Sequence, residues 1–149
     1  MKLSKTKIRR LQKGDITQII NFGLSEKAFV MDAGVFWSRD QLEKWSESRS
    51  DVLLVAINQN NQVIVFSFYA CHMPTFKVTW ENLYVKPECR EQGIASALIE
   101  EGMRILKDLG YRYIMLCVNS DDRGKFLGLL EKHCFAKGPE VIWVDKYLN

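Results

Sequence analysis

The sequence predicts an α/β protein of the α+β type. A central mixed, largely antiparallel sheet of about six to seven strands is flanked by about four helices, in the order β-α-α-β-β-β-α-β-α-β-β. Three observations carry this. The β-branched runs DVLLVAI and QVIVFSFYA are separated only by NQNN, an asparagine turn that makes them a hairpin. One long amphipathic run, IASALIEEGMRILKDL, lies between the strand-like FKVTWENLYV and RYIMLCV, which is a βαβ unit. No repeat, low-complexity stretch or linker interrupts the chain, so residues 1–149 read as a single domain.

The elements follow in order. TKIRRLQ alternates and forms a short first strand. In GDITQIINFGLSE, Asp15 is placed to cap a helix whose apolar face is Ile16, Ile19, Ile20 and Leu24. WSRDQLEKWSESRS starts a second helix at Ser38, with Gln41 three residues on completing a capping box. After the hairpin and FKVTWENLYV comes the long helix, with Ala95, Leu98, Ile99, Gly102, Leu106 and Leu109 on one stripe and Gly110 just past its end. RYIMLCV is apolar throughout, as a central strand buried on both faces is. DDRGKFLGLLEKH is a short helix despite two glycines, and EVIWVDKYL a final alternating strand.

Composition narrows the function classes. At 149 residues, 47% hydrophobic and 26% charged, the chain can bury a sizeable core, and a net charge of +3 argues for neither nucleic acid nor membrane as a partner. No stretch is apolar and long enough for a transmembrane helix, and the basic start lacks the apolar core of a secretory signal. Cys71, Cys89, Cys117 and Cys134 are scattered, and His72 and His133 stand far apart. That pattern fits no metal site and no disulfide framework, and suits free thiols in the cytoplasm.

The chemistry concentrates in ENLYVKPECREQGIASALIEE. A strand ends, a short loop carries Gly93, and a helix begins. A helix N-terminus offers unpaired amides and partial positive charge, hence an anion site. Gly93 and the small Ala95 let the backbone come close, and Arg90 can add a charge-assisted bond. A plain strand-to-helix turn explains the same glycine. The dinucleotide fingerprint and the P-loop are both absent, since neither three glycines nor Gly-Lys-Ser/Thr is present.

In register, Val85, Pro87, Arg90, Gly93 and Ala95 resemble motif A of the GCN5-related N-acetyltransferase (GNAT) family, and the element order resembles that family's fold over nearly the whole chain. The resemblance implies a single GNAT-like domain, 1–149, using acetyl-coenzyme A as co-substrate without a metal. The amides of Arg90, Glu91, Gln92, Gly93, Ile94, Ala95 and Ser96 would hold the pyrophosphate. The pantetheine arm would lie between two splayed strands, pairing with the backbone of Leu83, Tyr84 and Val85, and Asn119 would complete the cofactor contacts. A backbone N–H near Tyr84 or Val85 would polarise the thioester carbonyl, and transfer would be direct. Glu91 departs from the usual Gly or basic residue and would lie beside the phosphates unless it points to water.

Acyl transfer to an amine also needs a base and a source of a proton. Strand alternation puts Glu81 on the face of Leu83 and Val85, where partial burial would raise its pKa, so it is the candidate general base; a solvated or salt-bridged glutamate is the plainer alternative. Many family members carry Tyr-Glu-Lys-x-Gly-Phe on the last helix, with the tyrosine as general acid. Here the stretch is LLEKHCF, so Leu130 replaces the tyrosine and Cys134 the glycine; a thiolate is a tolerable leaving group that solvent or the departing amine proton can serve, and Tyr84, Tyr113 and Cys134 are the substitute side chains. Cys117 and Cys134 lack a suitably spaced histidine to make them nucleophiles.

By the same resemblance, Glu26, Phe29, Asp32, Phe36, Trp37 and Trp45 lie where an amine acceptor would bind, although the aromatics also suit simple cover for the sheet. The expectation is a cytoplasmic, monomeric or homodimeric acetyl-CoA-dependent N-acetyltransferase acting on a primary amine of a small molecule or protein. The alternative is a non-catalytic acyl-CoA-binding regulatory module of the same fold. The basic start (Lys2, Lys5, Lys7, Arg9, Arg10, Lys13) is explained by an exposed edge strand, without a nucleic-acid partner.

Overall fold

A computed structural model describes residues 6–25, 38–118, 124–139 and 146. The chain forms two compact units, Met1–Cys117 and Val118–Asn149.

The first unit is built on one five-stranded sheet in the order β1-β2-β3-β4-β5, comprising β1 (Lys7–Arg10), β2 (Val52–Ile57), β3 (Val63–His72), β4 (Lys77–Val85) and β5 (Tyr113–Met115). The first four strands are antiparallel, and β5 joins β4 in parallel. The expected six to seven strands therefore become five among the described residues; most of EVIWVDKYL lies outside them. β2 and β3 meet through the asparagine turn, where Asn58 Oδ1 accepts from Asn60 N at 2.9 Å and Gln62 N at 3.0 Å, and Asn61 takes φ 56°.

Both faces of β2 are buried. On one lie α1 (Ile16–Ser25) and α2 (Arg39–Ser46), whose Ile16, Ile19 and Leu42 close on Leu53, Val55, Phe66, Phe68 and Tyr84. On the other lies α3 (Ile94–Asp108), burying Ile94, Leu98, Ile99 and Leu106 and bringing Gly102 against Tyr69. The α2 capping box is present, with Gln41 N donating to Ser38 Oγ and Ser38 N to Gln41 Oε1. Gly110, at φ 88°, ends α3 in a Schellman motif, with Tyr111 N donating to Leu106 O and Gly110 N to Lys107 O.

Three expectations are corrected. Asp15 is not the N-cap of α1. A 3-10 turn from Lys13 precedes that helix, so Asp15 falls three residues after the cap Gln12 and its carboxylate accepts from Gln12 N. This lets the buried Asp15 also take both terminal nitrogens of Arg9, at 2.6 and 2.9 Å. Leu24 is exposed, outside the apolar face assigned to it. Among the described residues β5 pairs with β4 alone, and its Tyr113 is 60% exposed, so the burial expected of it is not met there: an apolar run states what a strand can bury while its neighbours decide what it does bury.

The second unit contains α4 (Lys125–Lys132), entered at Gly124 with φ 77°. Leu130 is buried, and the helix ends in a second Schellman motif, with Phe135 N donating to Leu130 O and Cys134 N to Glu131 O. No helix among the described residues is long and apolar enough to cross a membrane.

Candidate active site

β4 is the strand around which the site is built. Its pairing with β5 runs from Lys77↔Tyr113 to Thr79↔Met115 and stops. From Trp80 to Val85 the strand continues with β3 on one side and no strand partner on the other among the described residues. A peptide edge without a partner exposes alternating donors and acceptors, which an extended ligand can take up as an added strand.

The register on the β3 side holds a feature that period-two reading does not detect. Phe68 pairs with Asn82 but Tyr69 pairs with Trp80, so Glu81 is an extra residue in a β-bulge. Leu83, opposite Ser67, and Trp80, opposite Tyr69, therefore share the face covered by α3, while Asn82 and Tyr84 share the α1 and α2 face. Glu81 thus belongs to the bulge and not to the regular face of Leu83 and Val85. The residue is exposed, yet its carboxyl loses enough hydration to raise its pKa above the ordinary value, with the nearby His72 opposing.

Tyr84 is 7% exposed and lies between aromatic rings, stacked on Phe66 at 5.5 Å and on Phe22 at 5.3 Å. Lys86 caps this column, its ammonium 4.9 Å from the Phe22 centroid.

At the end of β4 the chain makes a 3-10 turn over Pro87–Cys89 and then the loop into α3. Glu91 (φ 59°) and Gly93 (φ 76°) are both left-handed, a conformation natural to glycine and costly to glutamate. Glu91 is exposed, so its carboxylate is free to face water. Arg90 Nε donates to Val85 O at 3.1 Å, tying the loop to the end of β4, and Gln92 Nε2 braces the loop on Glu88 O at 2.9 Å. The first α3 bond is Ala97 N to Gly93 O, so the amides of Gly93, Ile94 and Ala95 precede the intrahelical ladder. The end of β4 and the helix N-terminus thus meet end to end, an arrangement suited to a linear ligand with an anionic terminus.

Of the other expected residues, Tyr113 is exposed on β5, and Cys117 and Cys134 are exposed free thiols. Asn119, Glu26, Phe29, Asp32, Phe36 and Trp37 lie outside the described residues. Trp45 lies within them, packed edge-on against Phe68 at 5.4 Å with its indole N–H donating to Asp51 Oδ2, so it covers the sheet. Of the basic start, Arg9 holds Asp15, Arg10 donates to Asp51 O, and Lys13 meets Glu47 at 2.7 Å, while Lys2 and Lys5 lie outside the described residues. Sequence reasoning missed Trp80, whose buried indole N–H had to find an acceptor and finds two.

Comparison with known proteins agrees with this fold. The Acetyltransferase (GNAT) family model matches residues 24–144. YwnH of Bacillus subtilis (strain 168), by name a provisional phosphinothricin acetyltransferase, is 29% identical over 128 residues, covering 82% of this chain and 77% of YwnH. Two solved structures share the fold. The aminoglycoside acetyltransferase meta-AAC0020 from an uncultured soil metagenomic sample has a TM-score of 0.75 at 18% identity, over 99% of both chains. The ribosomal-protein-S18-alanine N-acetyltransferase of Escherichia coli has a TM-score of 0.72 at 19% identity, over 90% of this chain and 79% of that one. The protein belongs to the GNAT family of acetyltransferases.

Proposed function

We propose that the chain, working as one domain in the cytoplasm, transfers an acetyl group from acetyl-CoA directly to a primary amine. The observation that supports this most is the 80–85 stretch of β4, beside which no strand pairs on the β5 side among the described residues, running into a loop with left-handed Glu91 and Gly93 at the α3 N-terminus. The pantetheine arm would pair along Leu83, Tyr84 and Val85, and the pyrophosphate would meet the amides of residues 90–96 and the exposed Arg90. Asn119 is proposed to complete the contacts. Acetyl-CoA supplies the activated acyl group.

The chain's own contribution is to hold that group and to move a proton. A backbone N–H near Tyr84 or Val85 would polarise the carbonyl. Glu81, its pKa raised by lost hydration, is the base that takes the amine proton, directly or through water. Tyr84 is a weaker choice for the acid, its ring being stacked between Phe22 and Phe66. The acceptor class follows the relatives, whose names include an aminoglycoside and an alanine of a ribosomal protein, so a small molecule or a protein amine fits.

Calorimetric titration of acetyl-CoA, followed by thiol release against a panel of amines, tests the reading. Binding with release for at least one amine is expected, and absence of binding overturns it. One observation favours a second reading, a non-catalytic acyl-CoA-binding module: Leu130, which by the motif resemblance replaces the family's usual tyrosine, is apolar and buried. Binding without release for any amine, with release restored in Leu130→Tyr, would select that reading.

A further inference from the structure

β4 carries an extra residue at Glu81 directly after its pairing with β5 ends at Thr79. An extra residue in a ladder is a register hazard. Were the bulge to migrate by one position, the side chains it passed would exchange faces. Something has to hold it at Glu81, and the structure offers one device. The Trp80 side chain lies on the α3 face, stacked on Tyr69 with centroids 5.3 Å apart. From there its indole N–H reaches forward along its own strand and donates to two acceptors, Ser67 Oγ at 2.8 Å and Asn82 O at 3.1 Å. Ser67 is fully buried on β3 and pairs with Leu83, while Asn82 is the residue just beyond the bulge. The indole therefore bridges the residue before the bulge, the residue after it, and the strand opposite.

Resting on the acetyl-CoA reading above, we propose that Trp80 is a positioning residue for the pantetheine arm: its indole N–H pins the bulge and so fixes the register of β4 at Leu83, Tyr84 and Val85. The arm reads main chain, so the register of that stretch sets how many of its amide groups find partners. The pyrophosphate end, held by the 90–96 loop, does not depend on the bulge.

That separation gives the test. Trp80→Phe keeps a ring against Tyr69 and removes the N–H together with part of the indole's bulk. Two probes are titrated by calorimetry into wild type and variant: acetyl-CoA, and adenosine 3′-phosphate 5′-diphosphate, which lacks the pantetheine arm. The expected result is acetyl-CoA weakened about tenfold, with the shorter probe within about twofold of wild type. Ser67→Ala, which keeps the indole and its Asn82 bond, should show the same split at about threefold, and stands in if the first variant fails to fold. Unchanged acetyl-CoA affinity, or equal weakening of both probes, overturns the proposal and leaves the acetyl-CoA reading intact. A wild type that binds neither probe overturns both.

Discussion

Cys134 occupies a position that the backbone reserves for glycine. It follows α4 at φ 63°, as the left-handed residue of a Schellman motif whose two bonds are Phe135 N to Leu130 O and Cys134 N to Glu131 O. A side chain there costs about 1–2 kcal/mol through the clash of Cβ with the following carbonyl. Cys134→Gly removes that strain and adds back about 0.5–1 kcal/mol of unfolded-chain entropy. The thiol is exposed, so its loss costs little burial. The net expectation is a gain of about 0.5–1 kcal/mol, or about 1–4 °C in Tm for a chain of this size. The mirror experiment uses the Schellman motif of α3, where Gly110 sits at φ 88° and a Cβ would meet nothing within 4 Å. Gly110→Ala should lose about what Cys134→Gly gains. Thermal unfolding followed by circular dichroism reads both. If Cys134→Gly lowers Tm while Gly110→Ala leaves it unchanged, the strain argument is wrong.

Three more expectations follow from the same structure. A Cβ at Gly102 would meet Tyr69 Oη at 2.6 Å and Cζ at 2.9 Å, and the fully buried ring has little room to retreat, so Gly102→Ala should cost about 1–2 kcal/mol despite its better helix propensity. Gly128→Ala in α4, with nothing within 4 Å, should instead gain up to about 1 kcal/mol, and denaturant midpoints separate the two. Asp15→Ala strands the Arg9 guanidinium, 19% exposed, and the Gln12 amide, and should cost about 2–3 kcal/mol by urea unfolding. The Glu81 carboxyl has its pKa raised by lost hydration, and a base works only when deprotonated. Hence kcat/KM for an accepted amine should rise with pH through that raised value, and Glu81→Gln should lose this limb with about a hundredfold of rate. An unchanged profile in Glu81→Gln would remove Glu81 from the mechanism.

Much of this was legible in the residues, for physical reasons. The β2–β3 hairpin announces itself because strands are written in β-branched residues and its turn in asparagines with their own bonding pattern. Ser38 with Gln41, and Gly110 after Leu109, mark helix ends because so few residue types satisfy those backbone groups. The turn into α3 was readable at Gly93 because its left-handed backbone, φ 76°, suits glycine. Less was legible where geometry depends on distant partners. Period-two counting placed Glu81 on a face because it cannot register an inserted residue, and the bulge is fixed by Ser67 and Trp80, 13 positions apart. Asp15 was displaced from the cap by a 3-10 turn whose anchor, Arg9, lies on another element. The apolar run at β5 promised burial that its three-residue pairing with β4 does not deliver.

The central claim is that the end of β4 and the α3 N-terminus together hold acetyl-CoA, and titration of acetyl-CoA into wild type, Arg90→Glu and Gly93→Asp tests it most directly. Gly93→Asp places a side chain at φ 76° and a carboxylate at the anion site, and Arg90→Glu reverses the charge beside it. Saturable binding by the wild type, weakened at least about tenfold in both folded variants, is the predicted result; a wild type that does not bind, or variants that bind as well as it does, would contradict the account.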